Sequence, residues 1–300
     1  QLILGNTDTF ANLGTTNSAI TADSLRYINA ACATCQSVGT GLSMTVSNGF
    51  GNYAAGSAKL EKRFSNGFYL LNSFTWSKAL DNAGGHLETA NGDNSRINIY
   101  DPGYNKGLGS YNQPFNNTST VVYNLPYGKG HKFGANANGL VQTFLGGWRG
   151  TLINTMASGL PVNLTYGPAS RYTVSGYPTY RPSIIGDPMA PIGQRNIDNY
   201  FNKANVLIPV DPDHPNPFGN VGRNSLIGPK YLMLDFSAHK EFRMPYKEGH
   251  MVQFRLEAFN VMNHPVWGIP NANVLSAGYG TITGTAISMR QMQLALKYNF

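Results

Sequence analysis

Polar and apolar residues alternate along much of the chain, most sharply at its carboxy-terminal end. Met292, Leu294, Leu296, Tyr298 and Phe300 share one face of an extended segment, opposite Gln291, Gln293, Lys297 and Asn299. A period of two is the signature of a β-strand with unlike faces. Val252, Phe254, Leu256 and Ala258 oppose Gln253, Arg255 and Glu257 in the same way. Earlier, Ala54, Ala58, Leu60 and Phe64 oppose Ser57, Lys59, Glu61 and Arg63. Lys62 interrupts the apolar side near the strand end, where a long side chain reaches a polar boundary. Phe68, Leu70, Phe74 and Trp76 then oppose Ser73, Thr75 and Ser77, and Ser65-Asn66-Gly67 between the two runs is a hairpin signal. The pattern predicts strands over 53–64, 68–80, 117–125, 147–157, 231–243, 250–262 and 287–300, with a continuation from 158 to 166. Residues 1–50 read mainly as a long loop with a weakly apolar stretch at 25–31.

A soluble sandwich would show the same alternation, and two further features tip the balance towards a membrane. Connections alternate between short (65–67, 244–249) and long (81–112, 167–229), as in bacterial barrels with short periplasmic turns and long outer loops. Aromatic residues gather at strand ends (Phe64, Phe68, Trp76, Tyr123, Tyr127, Phe242, Tyr298 and Phe300), where interfacial girdles lie. The expected fold is all-β: an antiparallel meander of long strands forming the carboxy-terminal portion of a transmembrane β-barrel in a bacterial outer membrane. Such a wall leaves its apolar faces outward in a band about 25 Å tall, whereas a soluble fold closes them on one another.

Composition agrees. Charged residues make up 12% of the chain, about half the usual share, while Gly reaches 34 of the 300 residues. Mean hydropathy is slightly negative, which excludes a helical membrane protein but not a barrel whose strands also face a polar lumen. No run of eighteen apolar residues occurs. The net charge of +7 is scattered rather than clustered, which argues against nucleic-acid binding. It would instead favour anionic solutes or lipopolysaccharide. An exported chain needs a leader, so the expectation is that more sequence lies upstream of Gln1 and that this chain is a fragment or a processed piece.

Little in the chain suggests catalysis or a cofactor, and the expectation is a protein that is not an enzyme. Cys32 and Cys35 form a Cys-x-x-Cys pair with no second pair to complete a zinc site and no βαβ setting for redox work. A disulfide stapling an exposed loop in an oxidising compartment is the expected role. The histidines (His86, His131, His214, His239, His250 and His264) show no metal-binding spacing. Asp211, Asp213 and His214 are candidates for a loop cation, as are Asp93 and Asn94 with Asp81, but Asp and Asn in loops more often serve turns. Arg255 and Glu257 share the polar face of one strand and are expected either to pair across the lumen as a structural ladder or to touch a ligand.

Several phrases are more specific than any one pattern. Glu61-Lys62-Arg63-Phe64-Ser65-Asn66-Gly67 precedes Phe74-Thr75-Trp76-Ser77-Lys78-Ala79-Leu80-Asp81. Leu125-Pro126-Tyr127-Gly128-Lys129-Gly130, Leu145-Gly146-Gly147-Trp148 and Ser158-Gly159-Leu160-Pro161 follow. Phe218-Gly219-Asn220-Val221-Gly222-Arg223-Asn224 comes next, then Phe254-Arg255-Leu256-Glu257-Ala258-Phe259-Asn260 with Asn263-His264-Pro265. In this order they resemble the carboxy-terminal barrel of Oar-like TonB-dependent receptors over roughly 50–300. The resemblance implies a twenty-two-stranded barrel with a plug, contact with TonB through an upstream segment, and uptake of a bulky nutrient such as a glycan, siderophore or peptide. The whole of 1–300 then reads as a partial barrel domain, its first fifty residues largely loop. Met292, Leu294, Leu296, Tyr298 and Phe300 look like the signal read by the barrel assembly machinery, an extended edge whose alternate side chains give specificity. Outer-membrane lipid and lipopolysaccharide are the other expected partners. A structural or adhesive outer-membrane protein, and a secreted all-β carbohydrate-binding or hydrolytic domain, are the rival readings.

Overall fold

The structure, a computed structural model, describes residues 49–82, 101–167, 180–209, 218–244 and 249–300. In chain order the strands are β1 Gly51–Ser65, β2 Phe68–Asp81, β3 Gly107–Leu108, β4 Phe115–Asn124, β5 Trp148–Ala157, β6 Pro161–Val162, β7 Ser183–Ile184, β8 Val206–Leu207, β9 Leu226–Ile227, β10 Tyr231–Arg243, β11 Met251–Phe259 and β12 Gln291–Asn299. The long ones form one antiparallel sheet in the order β1-β2-β4-β5-β10-β11-β12, with β3 on the far end of β2. This is a meander of long strands, as the alternation predicts, and among the described residues it is not closed: β1 and β12 are its free edges. At 15, 14 and 13 residues, β1, β2 and β10 exceed the roughly 9–11 residues that a tilted transmembrane strand needs, so each is long enough to span a bilayer with residues to spare. Among the described residues no helix is long and apolar enough to cross a membrane.

The turns explain the register. Asn66 and Gly67 both have positive φ (+52° and +78°), the conformation of a two-residue hairpin whose twist matches its strands. The β4–β5 connection, expected as a plain connector, contains a short helix, α1 Gly139–Leu145, capped by the Asn138 side chain accepting from the Val141 N–H at 2.9 Å.

Register carries each apolar set onto the same face. One row runs Leu70, Val121, Leu152, Phe236, Ala258, Met292, and the next runs Phe68, Tyr123, Gly150, Ala238, Leu256, Leu294. The opposite face carries Tyr69, Val122, Thr151, Ser237, Glu257 and Gln293 in one row, and Asn124, Arg149, His239 and Arg255 in another. Among the described residues nothing folds over the apolar face at Leu60, Trp76, Leu294 or Leu296, which stay exposed. Aromatic pairs mark both margins of the apolar face: Phe68 with Tyr123 and Trp148 with Phe254 at the short-turn end, and Phe74 with Phe115 towards the other. Lys62 sits over the Phe68 ring at 4.8 Å, the boundary position expected of it. One polar island interrupts the band, where Asn72 Nδ2 donates to Asn117 Oδ1 at 2.9 Å and to Ser119 Oγ at 2.7 Å. Its members satisfy one another, as polar groups facing hydrocarbon must.

The long connections are not bare loops. Their described parts fold together at the far end of the sheet into a cap with two small sheets, β6 with β9 and β7 with β8. Expected as one continuing strand, 158–166 instead leaves the wall, and its β6 pairs inside the cap. The buried core of the molecule lies here, around Val162, Leu164, Phe201, Val221, Leu226 and Tyr279.

Candidate functional site in the long connections

The described parts of three connections, 101–114, 158–167 with 180–209 and 218–230, and 260–290, build the cap at the end of the sheet away from the short turns. Its attachment to the wall is polar. Arg223 forms a buried ion pair with the Asp81 carboxylate at the end of β2, and Nη1 also donates to the Asp81 carbonyl at 3.1 Å. Gly107 lies against this arginine: a Cβ there would fall 2.3 Å from the Arg223 carbonyl oxygen, so only glycine fits. Asn224, at φ +53°, donates from its side chain to the Leu108 carbonyl at 2.7 Å and from its N–H to Asn163 Oδ1 at 3.2 Å. Asn112 accepts the Ala79 N–H at 2.7 Å. On the other side, Asn260 donates its N–H to Asp235 Oδ1 at 2.9 Å, while its side chain closes a turn with the His264 backbone. Asparagine recurs at these joints because it tolerates left-handed backbone and carries both donor and acceptor.

Above the joint lies a cationic and aromatic centre. Arg181 is 1% exposed. Its Nε donates to the Val221 carbonyl at 2.9 Å, it also bonds the Tyr104 carbonyl, and its guanidinium carbon stands 3.8 Å from the Tyr104 ring centroid. No carboxylate pairs with it among the described residues. Burial lowers its pKa below the ordinary arginine value; Tyr104 partly offsets this and nearby Arg223 adds to it. Tyr104 packs edge-on to Phe218 at 5.6 Å, and Phe218 to Tyr180 at 5.4 Å. Tyr166 and Tyr180 exchange two backbone hydrogen bonds of 2.8 Å. A second aromatic group stacks Phe201 on Tyr279 at 5.4 Å, and burial pushes the Tyr279 hydroxyl up to about 12. Burial raises the Tyr104 and Tyr166 hydroxyls as well.

The cap is thus held rigid from within and offers contact surface outside, where Tyr111, Ile185, Ile192, Leu207, Ile269 and Leu275 are exposed. Among the described residues no three of His, Cys, Asp and Glu come together as a metal site.

The residues singled out in the sequence are placed as follows. Met292, Leu294, Leu296 and Tyr298 line one face of β12 at a free edge of the sheet, and Phe300 stacks on Tyr298 at 6.0 Å. Cys32, Cys35, His86, Asp93, Asn94, Asp211, Asp213 and His214 lie outside the described residues. Asp81, the described member of that candidate group, pairs with Arg223. His131, His239, His250 and His264 fall on separate elements, with His250 Nδ1 2.5 Å from the Tyr298 hydroxyl. Arg255 and Glu257 find partners within the sheet. They pair along β11 at 3.6 Å, and Gln293 of the next strand donates to Glu257, because residues two apart on a strand share a face. Arg181, Arg223 and the aromatic centre had no prior signal beyond the phrase around Arg223, since buried arginines in loops follow no period.

A family model described as an outer membrane beta barrel domain matches residues 4–293. No curated protein and no solved structure is matched by the chain.

Proposed function

The chain belongs to the outer membrane β-barrel family and lies in the bacterial outer membrane; from that premise we propose that it forms the wall and outer mouth of a TonB-dependent receptor for a bulky nutrient. The observation that carries this is the cap. The described parts of three long connections fold into one packed body around Arg181 and Arg223 at the end opposite the short turns, where barrels of this family meet the outside. A simple pore needs no such body, whereas capture of a glycan, siderophore or peptide needs a rigid surface over the lumen. The ordered phrases from Glu61 to Pro265 support the TonB-dependent assignment. The free edge of β12, with Met292, Leu294, Leu296, Tyr298 and Phe300 on one face, supports its role as the segment read by the assembly machinery.

The exposed Ile185, Ile192 and Leu207 of the cap favour a second reading as an adhesive surface protein. Photo-crosslinking in cells separates the two. A receptor gives a crosslink to TonB that strengthens when the growth substrate is supplied. A protein that never crosslinks to TonB on any nutrient tested, while a known receptor in the same cells does, is not a transporter.

A further inference from the structure

At the short-turn end the β4–β5 connection folds back over the apolar face of the wall and leaves a groove beneath it. The groove is about 600 Å³ and lined by Tyr123, Tyr127, Leu145, Trp148, Leu152 and Phe236, with Gly150 and Ala238 in its floor. Register sets Tyr123, Gly150 and Ala238 side by side, so two small residues flanked by large ones create the depth. The cover is fastened: the Lys240 ammonium bonds the Gly146 carbonyl, and the Trp148 indole donates to the Phe144 carbonyl at 2.8 Å. α1 leaves Leu140, Phe144 and Leu145 exposed, continuing the apolar surface of the wall towards its margin.

Charge identifies the occupant. The turn leading into α1 exposes Lys129, His131 and Lys132, and no acidic residue occurs anywhere between Asp101 and Asp187. Short turns face the periplasm, so this margin lies at the phospholipid leaflet rather than at the lipopolysaccharide leaflet. We propose that the groove is a lipid site: one acyl chain of an anionic phospholipid lies against Gly150 and Ala238, and its phosphate is met by Lys129 and Lys132. An apolar furrow with Lys129 and Lys132 in the exposed turn beside it suits such a lipid better than a zwitterionic one. The site depends on the outer-membrane placement alone and not on the transport reading.

Native mass spectrometry of the full chain, titrated with phosphatidylglycerol and with phosphatidylethanolamine, tests it. The wild type is expected to hold phosphatidylglycerol more tightly. Lys129→Gln with Lys132→Gln should weaken it about thirtyfold, roughly fivefold for each lysine near an anionic headgroup. Gly150→Leu with Ala238→Leu should abolish retention of both lipids by filling the groove. A Cβ at Gly150 meets only ordinary contacts, the nearest at 3.7 Å, so the fold tolerates a side chain there. Equal retention of the two lipids by the wild type overturns the assignment. So does unchanged phosphatidylglycerol binding in the lysine variant, whose two sites lie in an exposed turn and leave the sheet intact.

Discussion

Leu294 and Leu296 in the wall leave 69% and 74% of their surface open, whereas Leu164 and Phe201 in the cap leave none. The same residue types are treated in opposite ways within one chain. In the cap they close on one another as in any water-soluble protein, which follows from removing apolar area from water. In the wall they point away from the protein in ordered rows, and the polar residues between them line the other face. A wall in water would forgo roughly 25 cal/mol for each Å² left open. A wall in hydrocarbon forgoes nothing, and its stability comes from strand pairing that satisfies the backbone groups between its two edges. Two solvents, rather than two kinds of sequence, separate the regions.

The comparison can be broken at its strongest points first. Arg223→Met strands the Asp81 carboxylate in a buried joint and should cost about 3–5 kcal/mol. Limited proteolysis should then cut 101–114 and 218–230 while the sheet signal in circular dichroism persists. Loss of both together would show that cap and wall are one unit. Phe201→Ala removes the centre of the cap core and should cost about 3–5 kcal/mol, again without touching the wall. Leu294→Arg places a charge on the lipid face and should cost about 2–4 kcal/mol in urea unfolding from vesicles, while Gln293→Arg on the polar face should cost little. The smallest effect is alkaline. Burial favours the neutral hydroxyls of Tyr104, Tyr166, Tyr200 and Tyr279, so their contribution is complete below the ordinary value of 10.0 and fades as pH rises towards the folded value, about 12 for Tyr279. Ultraviolet absorbance of tyrosinate should show a late-titrating group that merges with the rest in Phe201→Ala.

The wall was legible because a period of two survives burial, exposure and lipid alike. β10 spans the expected 231–243, and β1 and β2 differ from expectation by at most two residues at either end, with the Asn66-Gly67 turn fixing their register. α1 escaped notice because seven residues framed by Gly139 and Gly146 show too little helical periodicity. The cap was illegible for another reason. Its core joins Leu164, Phe201, Val221 and Tyr279, which are far apart in sequence and belong to two different connections, so no local window contains it. Arg181 and Arg223 look like ordinary loop cations until the fold buries them. Arg255 and Glu257 were correctly put on the polar face, and the partners they meet there follow from strand adjacency.

The claim that the apolar rows face lipid is tested most directly by nitroxide scanning of β12 from 292 to 297 in vesicles, with Cys32 and Cys35 replaced by serine. Oxygen, which concentrates in hydrocarbon, should collide most with labels at Met292, Leu294 and Leu296. A water-soluble nickel chelate should favour Gln293, Ala295 and Lys297, giving two profiles of period two in opposite phase. Profiles in phase, or a nickel maximum at Leu294 and Leu296, would contradict the account.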